Sequence, residues 1–177
     1  RAQELQQAFS YILPAHDNDP LTAATPLPSE PGAACAPVLY TATNAGATVG
    51  YAHFTCTTAG FGPLITLLVG ATPDGTVTGV YVLNHQETPG LGSKITTDQH
   101  LFAEWRAECK DGCPGKDPFL LQFANRKLGA FDFRVTKDGG GIDSITASTI
   151  TSRAVADAVA ASLTVITAAA AGTGGAE

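Results

Sequence analysis

The stretch Asp143-Ser-Ile-Thr-Ala-Ser-Thr-Ile-Thr-Ser-Arg153 places hydroxyls at Ser144, Thr146, Ser148, Thr149, Thr151 and Ser152 just ahead of a long Ala/Val-rich segment. In that segment Val155, Val159, Leu163 and Ile166 recur at helical spacing. The hydroxyls therefore sit at the start of a helix. The first-turn N–H groups there lack intrahelical acceptors and carry partial positive charge, so such a start can bind an anion. The same residues also read as an abundant N-cap. Two further loops bear glycines at element ends: Ala59–Pro63, with Gly60, Phe61 and Gly62, and Glu87–Lys94, with Gly90, Leu91 and Gly92. Those glycines either make turns or let backbone approach a flat ligand. Thr88 precedes Pro89, so the Glu87-Thr88 backbone is expected to be extended. Lys94 and Arg153 are cations that can offset a phosphate.

No nucleophile and base stand together. His16 lies in a loop, His53 in an expected strand, His100 on an expected helix, and His85 beside the second glycine loop, which ranks it first by position. The glycines match neither a P-loop nor a dinucleotide fingerprint, so NAD binding by this chain alone is not expected. The cysteines are Cys35, Cys56, Cys109 and Cys113. An even number suits disulfides in an oxidising compartment, and Cys109 with Cys113 can close a short loop, leaving Cys35 with Cys56. Four cysteines allow three pairings, and spacing does not choose among them. A zinc site is disfavoured because residues 35 and 56 are not a second close pair, and no metal is assigned; buried free thiols are the alternative to disulfides that ranks ahead of zinc.

These loops need a scaffold. The 177 residues suit one domain, and 44% hydrophobic with 15% charged content indicates a globular chain. A net charge of −6 argues against nucleic acid as a partner. No apolar run is expected to reach the roughly 18 residues that cross a bilayer. Arg1–Leu13 has one apolar helical face and ends at Pro14. Residues 15–37 read as a long surface loop. Val38–Thr43 and Thr48–Thr55 read as a hairpin around Asn44-Ala45-Gly46, and Leu64–Gly70 and Thr76–Asn84 as a second around Pro73-Asp74-Gly75. His85–Lys94 reads as irregular, Thr97–Glu108 as helix, Cys109–Pro118 as an insertion-like loop, Phe119–Phe123 and Phe131–Thr136 as strands, and Lys137–Gly141 as a glycine turn. Residues 168–177 read as a frayed tail. The expected fold is α+β, a single domain with a twisted, mainly antiparallel sheet and flanking helices. Its divisions are an N-terminal helix and loop (1–37), a binding domain (38–167) and the tail (168–177).

The loop His85-Gln-Glu-Thr-Pro-Gly-Leu-Gly92, followed by Asp143-x-x-Thr146-x-x-Thr149-x-Thr151-Ser152, resembles the FMN-binding domain family. The likeness is strongest to its members in membrane redox complexes of the Rnf type and in the related sodium-pumping NADH:quinone reductase. It covers residues 38–163, and the Glu-Thr-Pro-Gly-Leu-Gly loop is its specific part. The family motif is Ser/Thr-Gly-Ala-Thr, with FMN joined through its phosphate to the last Thr, which here is Thr149. This chain has Ala147 in place of the Gly and Ser148 in place of the Ala. The resemblance implies that Thr146, Ala147, Ser148, Ile150, Thr151 and Ser152 surround the phosphate. It implies that Gly60, Phe61, Glu87, Thr88, Gly90, Leu91, Gly92 and Lys94 line the rest of the flavin, and that Asp143 serves a flavin transferase. It further implies a redox subunit without stand-alone catalysis, carried by a bacterial cytoplasmic-membrane complex on its periplasmic side. The partners would be other subunits, with a preceding N-terminal membrane anchor removed. The terminal motif also occurs in flavin domains of membrane regulators and of stand-alone reductases, which are the alternative settings.

Overall fold

The computed structural model describes residues 1–110, 113 and 117–174. Its main elements are α1 (Ala2–Ile12), β1 (Ala24–Pro26), β2 (Val38–Asn44), β3 (Ala47–Thr57), β4 (Ile65–Ala71), β5 (Val77–Asn84), α2 (Phe102–Glu108) and α3 (Thr149–Gly174). The strands form one sheet in the order β1-β2-β3-β4-β5, every neighbour antiparallel. This is the expected α+β arrangement.

Helices cover both faces of the sheet. On β4, Ile65, Leu67, Val69 and Ala71 face the core that contains Val155, Val159, Leu163 and Ile166 of α3. Leu68 faces the other way, into a second core with Leu5, Ala8, Phe9 and Ile12 of α1. A strand buried on both faces reads as a continuous apolar run rather than an alternation, which is how Leu64–Gly70 appears in the sequence. Gly79 lies where α1 crosses β5, and a Cβ there would collide with Ile12. Thr149–Gly172 has a mean hydropathy of 1.7, long and apolar enough by that measure to cross a membrane. That corrects the expectation of no such run. Much of the apolarity comes from alanine, and one face of the helix is core.

The register fixes where the loops emerge. Thr57 pairs with Ile65 and Thr66 with Asn84, so the β3–β4 loop and the segment after β5 leave the same end of the sheet. α3 packs beneath β3 and β4, and a buried bond of 2.8 Å joins its Ser162 to His53 Nδ1 on β3.

Several local expectations are corrected. Residues 15–37 are not wholly irregular, since Pro20–Ala23 is a 3-10 turn and β1 pairs with β2. The irregular stretch 85–94 runs into a 3-10 turn at Gly92–Thr96. The helix expected over Thr97–Glu108 is interrupted: Asp98 takes a left-handed φ of 55°, a 3-10 turn covers Gln99–Leu101, and α2 starts at Phe102. There Gln99 turns aside to pair its amide with the N–H and C=O of Val82 on the edge of β5. Phe119–Phe123 is a 3-10 turn, not a strand. Phe131–Thr136 forms only isolated bridges, because its backbone is spent on Gly141 and Ile142, which fold back onto it. Thr136–Asp138 is a 3-10 turn closed by Gly139 at φ 91°. The frayed tail is helical through Gly174, and its last three residues lie outside the described residues. So does much of the loop expected at Cys109–Pro118. Disulfides join Cys35 to Cys56 and Cys109 to Cys113. The first ties the segment before β2 onto β3.

Burial pushes the His53 imidazole down to about 4. The unfolded chain binds a proton at His53 near pH 6.5 and the folded one does not, so this group's stabilisation is complete above that pH. It is lost as pH falls toward 4, by up to about 3 kcal/mol. Urea denaturation from pH 7 to 4 should show this fall, and His53→Gln should flatten it. An equally steep fall in the variant would rule His53 out as its cause.

Candidate functional site

Glu87 lies just after β5, buried, with its carboxylate aimed back under the β3–β4 loop. One oxygen accepts the Phe61 N–H at 2.9 Å, and the other accepts the Gly62 N–H in a short bond. Thr151 Oγ1, in the first turn of α3, donates to the first oxygen at 2.8 Å. A single side chain thus ties three segments far apart in sequence. The glycines take their meaning from it. A Cβ at Gly60 would lie 2.6 Å from Glu87 Oε1, and one at Gly92 would lie 2.9 Å from both Glu87 Cβ and Thr151 Oγ1. The backbone comes close to the carboxylate rather than to open space. Gly90, at φ 76° with nothing near it, is a turn residue. His85 Nδ1 accepts the Glu87 N–H at 3.1 Å, so its ring orients this loop.

The clamped segments enclose a pocket of about 380 Å³. Phe61 comes from the first loop; Thr88, Leu91 and Gly92 come from the second; residues 147–151 come from the start of α3. Phe61, Leu91 and Ile150 are 73%, 40% and 51% exposed, the large apolar side chains left open to solvent among the described residues, and all three line this pocket. Water contact at three converging apolar groups is unfavourable, so the site favours an apolar occupant.

The polar end of the pocket is the start of α3. Ser152 N–H bonds to Ser148 C=O at 3.0 Å, which makes Ser148 the residue preceding the first turn. Ser152 Oγ accepts from Ile145 N–H and donates to Ser148 C=O, so this hydroxyl, fully buried, shapes the turn from behind the pocket. The N–H groups of Thr149, Ile150 and Thr151 have no acceptor among the described residues. Ala147 takes a left-handed φ of 61°. That conformation costs a residue with a Cβ about 1–2 kcal/mol, which gives a physical reason for a glycine at this position of the motif. Thr149 opens the helix, and Lys137 Nζ donates to its Oγ1 at 3.3 Å.

The remaining expected residues lie around this pocket rather than in its wall. Gly60 and Glu87 form its back. Lys94 lines a separate pocket with Thr97, Asp98 and Phe119. Arg153 is held by both oxygens of Asp138, at 2.7 and 3.1 Å, and that bond keeps the Asp138 carboxyl below the usual range. Asp143 and Thr146 line a polar cleft on the other side of Thr149. Sequence reasoning missed two residues. Gln122, buried, brackets the Asp143 backbone with bonds of 2.7 and 3.0 Å and so sets the approach to α3. Lys137 is the cation at Thr149, and only the fold of the preceding glycine turn brings it there.

Replacing Glu87 by Gln puts an amide N–H₂ against N–H donors and leaves one of them unpaired. Glu87→Gln should cost about 1–3 kcal/mol of stability. Thr151→Val should then cost less in a Glu87→Ala background, which removes the acceptor oxygen the hydroxyl donates to, than in wild type. Chemical denaturation of these proteins measures this. Fully additive losses would show that the clamp does not couple these segments.

A sequence profile of the FMN-binding domain matches residues 60–164, which contain all three walls of the pocket. The chain is 36% identical over 168 residues to the G-type subunit of the ion-translocating oxidoreductase complex of Cereibacter sphaeroides, covering 92% of this chain and 68% of that protein. It is 35% identical over 164 residues to the protein of the same name from Vibrio cholerae, covering 89% and 70%. With that from Pasteurella multocida it shares 41% over 112 residues, covering 62% and 47%.

Proposed function

The chain belongs to the FMN-binding domain family, and we propose that it carries one FMN, joined through its phosphate to Thr149 Oγ1, as an electron-carrying subunit of a membrane ion-translocating oxidoreductase. The observation that carries this reading is the convergence of Phe61, Leu91 and Ile150 with the open start of α3 in one pocket. The residues fit the group. The apolar side chains suit a flat ring system. The unpaired N–H groups of Thr149, Ile150 and Thr151 suit a phosphate. Bound there, the flavin supplies the redox chemistry, which no side chain of the pocket can supply.

The chain's own part is to hold and to orient. Phe61, Leu91 and Ile150 exclude water from the ring side. Thr88 and Ser148 offer hydroxyls along the polar side. Thr149 Oγ1 is the attachment oxygen. Attachment by a flavin transferase would form the Thr149 Oγ–phosphorus bond and break the phosphoanhydride bond of an activated flavin dinucleotide, whose other nucleoside would leave as its monophosphate. The hydroxyl proton leaves, for a net loss of one water from FMN plus protein. Asp143, bracketed by Gln122 and exposed to the cleft beside Thr149, is the residue offered to that transferase. An ester through the phosphate leaves the ring unmodified.

Relatives named as subunits of an ion-translocating oxidoreductase complex support a membrane redox complex as the setting, with other subunits as electron partners. The disulfides support the periplasmic side of a bacterial cytoplasmic membrane, where cystines persist. Intact mass after co-expression with a flavin transferase should show a gain of one FMN less water, and denaturing gels should show flavin fluorescence. Thr149→Val should lose both. An unmodified wild-type mass would sink covalent attachment, and label retained in Thr149→Val would move it to another residue.

A further inference from the structure

Two clefts meet at Thr149. The apolar pocket lies on one side. On the other is a polar cleft of about 260 Å³ lined by Lys137, Asp143, Ser144 and Thr146, with Ala147 and Thr149 common to both. We propose that the phosphate on Thr149, met by the first-turn N–H groups, reaches into this second cleft, and that Lys137 is its counter-charge. The inference rests on the reading that FMN is carried at Thr149.

The other nearby cations are engaged elsewhere. Arg153 is paired with Asp138, Arg134 with Asp132 at 2.6 Å, and Lys94 lines a different pocket. Lys137 has no carboxylate at ion-pairing distance among the described residues, and its ammonium already donates to the hydroxyl that would bear the phosphate. Ser144 Oγ, buried in the cleft wall, has no hydrogen-bond partner among the described residues. Asp143 shares the cleft and opposes an anion, so the ammonium and the first-turn N–H groups must outweigh it. A phosphate ester bridging Thr149 and FMN keeps one negative charge and has no compensating group in the flavin itself. In a chain of net charge −6, a local cation is what makes that position favourable.

The test uses protein made without a transferase, titrated with FMN and with riboflavin, which has the ring but no phosphate, while flavin fluorescence is followed. Lys137 is exposed, so the effect is modest and screened. Lys137→Gln should weaken FMN about two- to fivefold at low ionic strength and leave riboflavin unchanged. The difference should vanish near about 0.5 M salt, and Lys137→Arg should restore FMN binding. Equal loss for both flavins, or no loss for FMN, overturns the inference. Where the unmodified protein binds neither flavin, the rate of mass gain with the transferase decides. Slower attachment in Lys137→Gln, rescued by Lys137→Arg, supports the inference, and equal rates overturn it. No attachment even in wild type overturns the proposed function and this inference together.

Discussion

The buried carboxylate of Glu87 is the constraint on which the site depends. A carboxylate removed from water is costly unless its oxygens are occupied. Here they are occupied by donors from two other segments, the Phe61–Gly62 backbone and Thr151 of α3. Satisfying the charge therefore forces three stretches of chain into one place. The sheet makes this possible at little cost, since its register already brings the β3–β4 loop and the end of β5 to the same edge. The glycines at 60, 62 and 92 remove the side chains that would stand in the way. The pocket in front of Glu87 is a consequence of packing behind it.

That arrangement divides the pocket by chemistry. Loop residues, which need no large reorganisation to stay exposed, supply the apolar side through Phe61 and Leu91. The start of α3 supplies the polar side, because its first turn presents several unpaired N–H groups together. Thr149 lies on the boundary, reached from both clefts. An ester there would anchor a ligand whose ring needs no strong contact of its own, so weak apolar contacts suffice to orient it.

The scaffold was largely legible in the sequence because its signals are periodic. The α1 and α3 faces repeat at helical spacing, and the two hairpins carry turn residues at Asn44-Ala45-Gly46 and Asp74-Gly75. The segment from Thr97 to Thr136 was less legible. Phe119–Phe123 is too short for periodicity to separate a strand from a 3-10 turn, and the fact that decides it, Gln122 reaching the Asp143 backbone, is a long-range one. Phe131–Thr136 has strand-forming residues but spends its backbone bonds on its own return loop. Within the site, the motif pointed to Thr149 and its neighbours, while the partners of the charged residues were not visible. Glu87 reads as a ligand contact in one dimension and is an internal clamp in three. Arg153 and Lys94 were the evident cations, yet the fold commits one to Asp138, moves the other to a separate pocket, and brings Lys137 to Thr149 instead.

The central claim is that the clamped segments form one flavin seat. Hydrogen–deuterium exchange of the flavin-bearing protein against the flavin-free protein tests it most directly. The account predicts that protection appears together in residues 60–62, 88–92 and 147–151, while the pocket around Lys94, Thr97 and Asp98 exchanges as before. Protection confined to the Lys94 pocket, or to only one of the three segments, would contradict it.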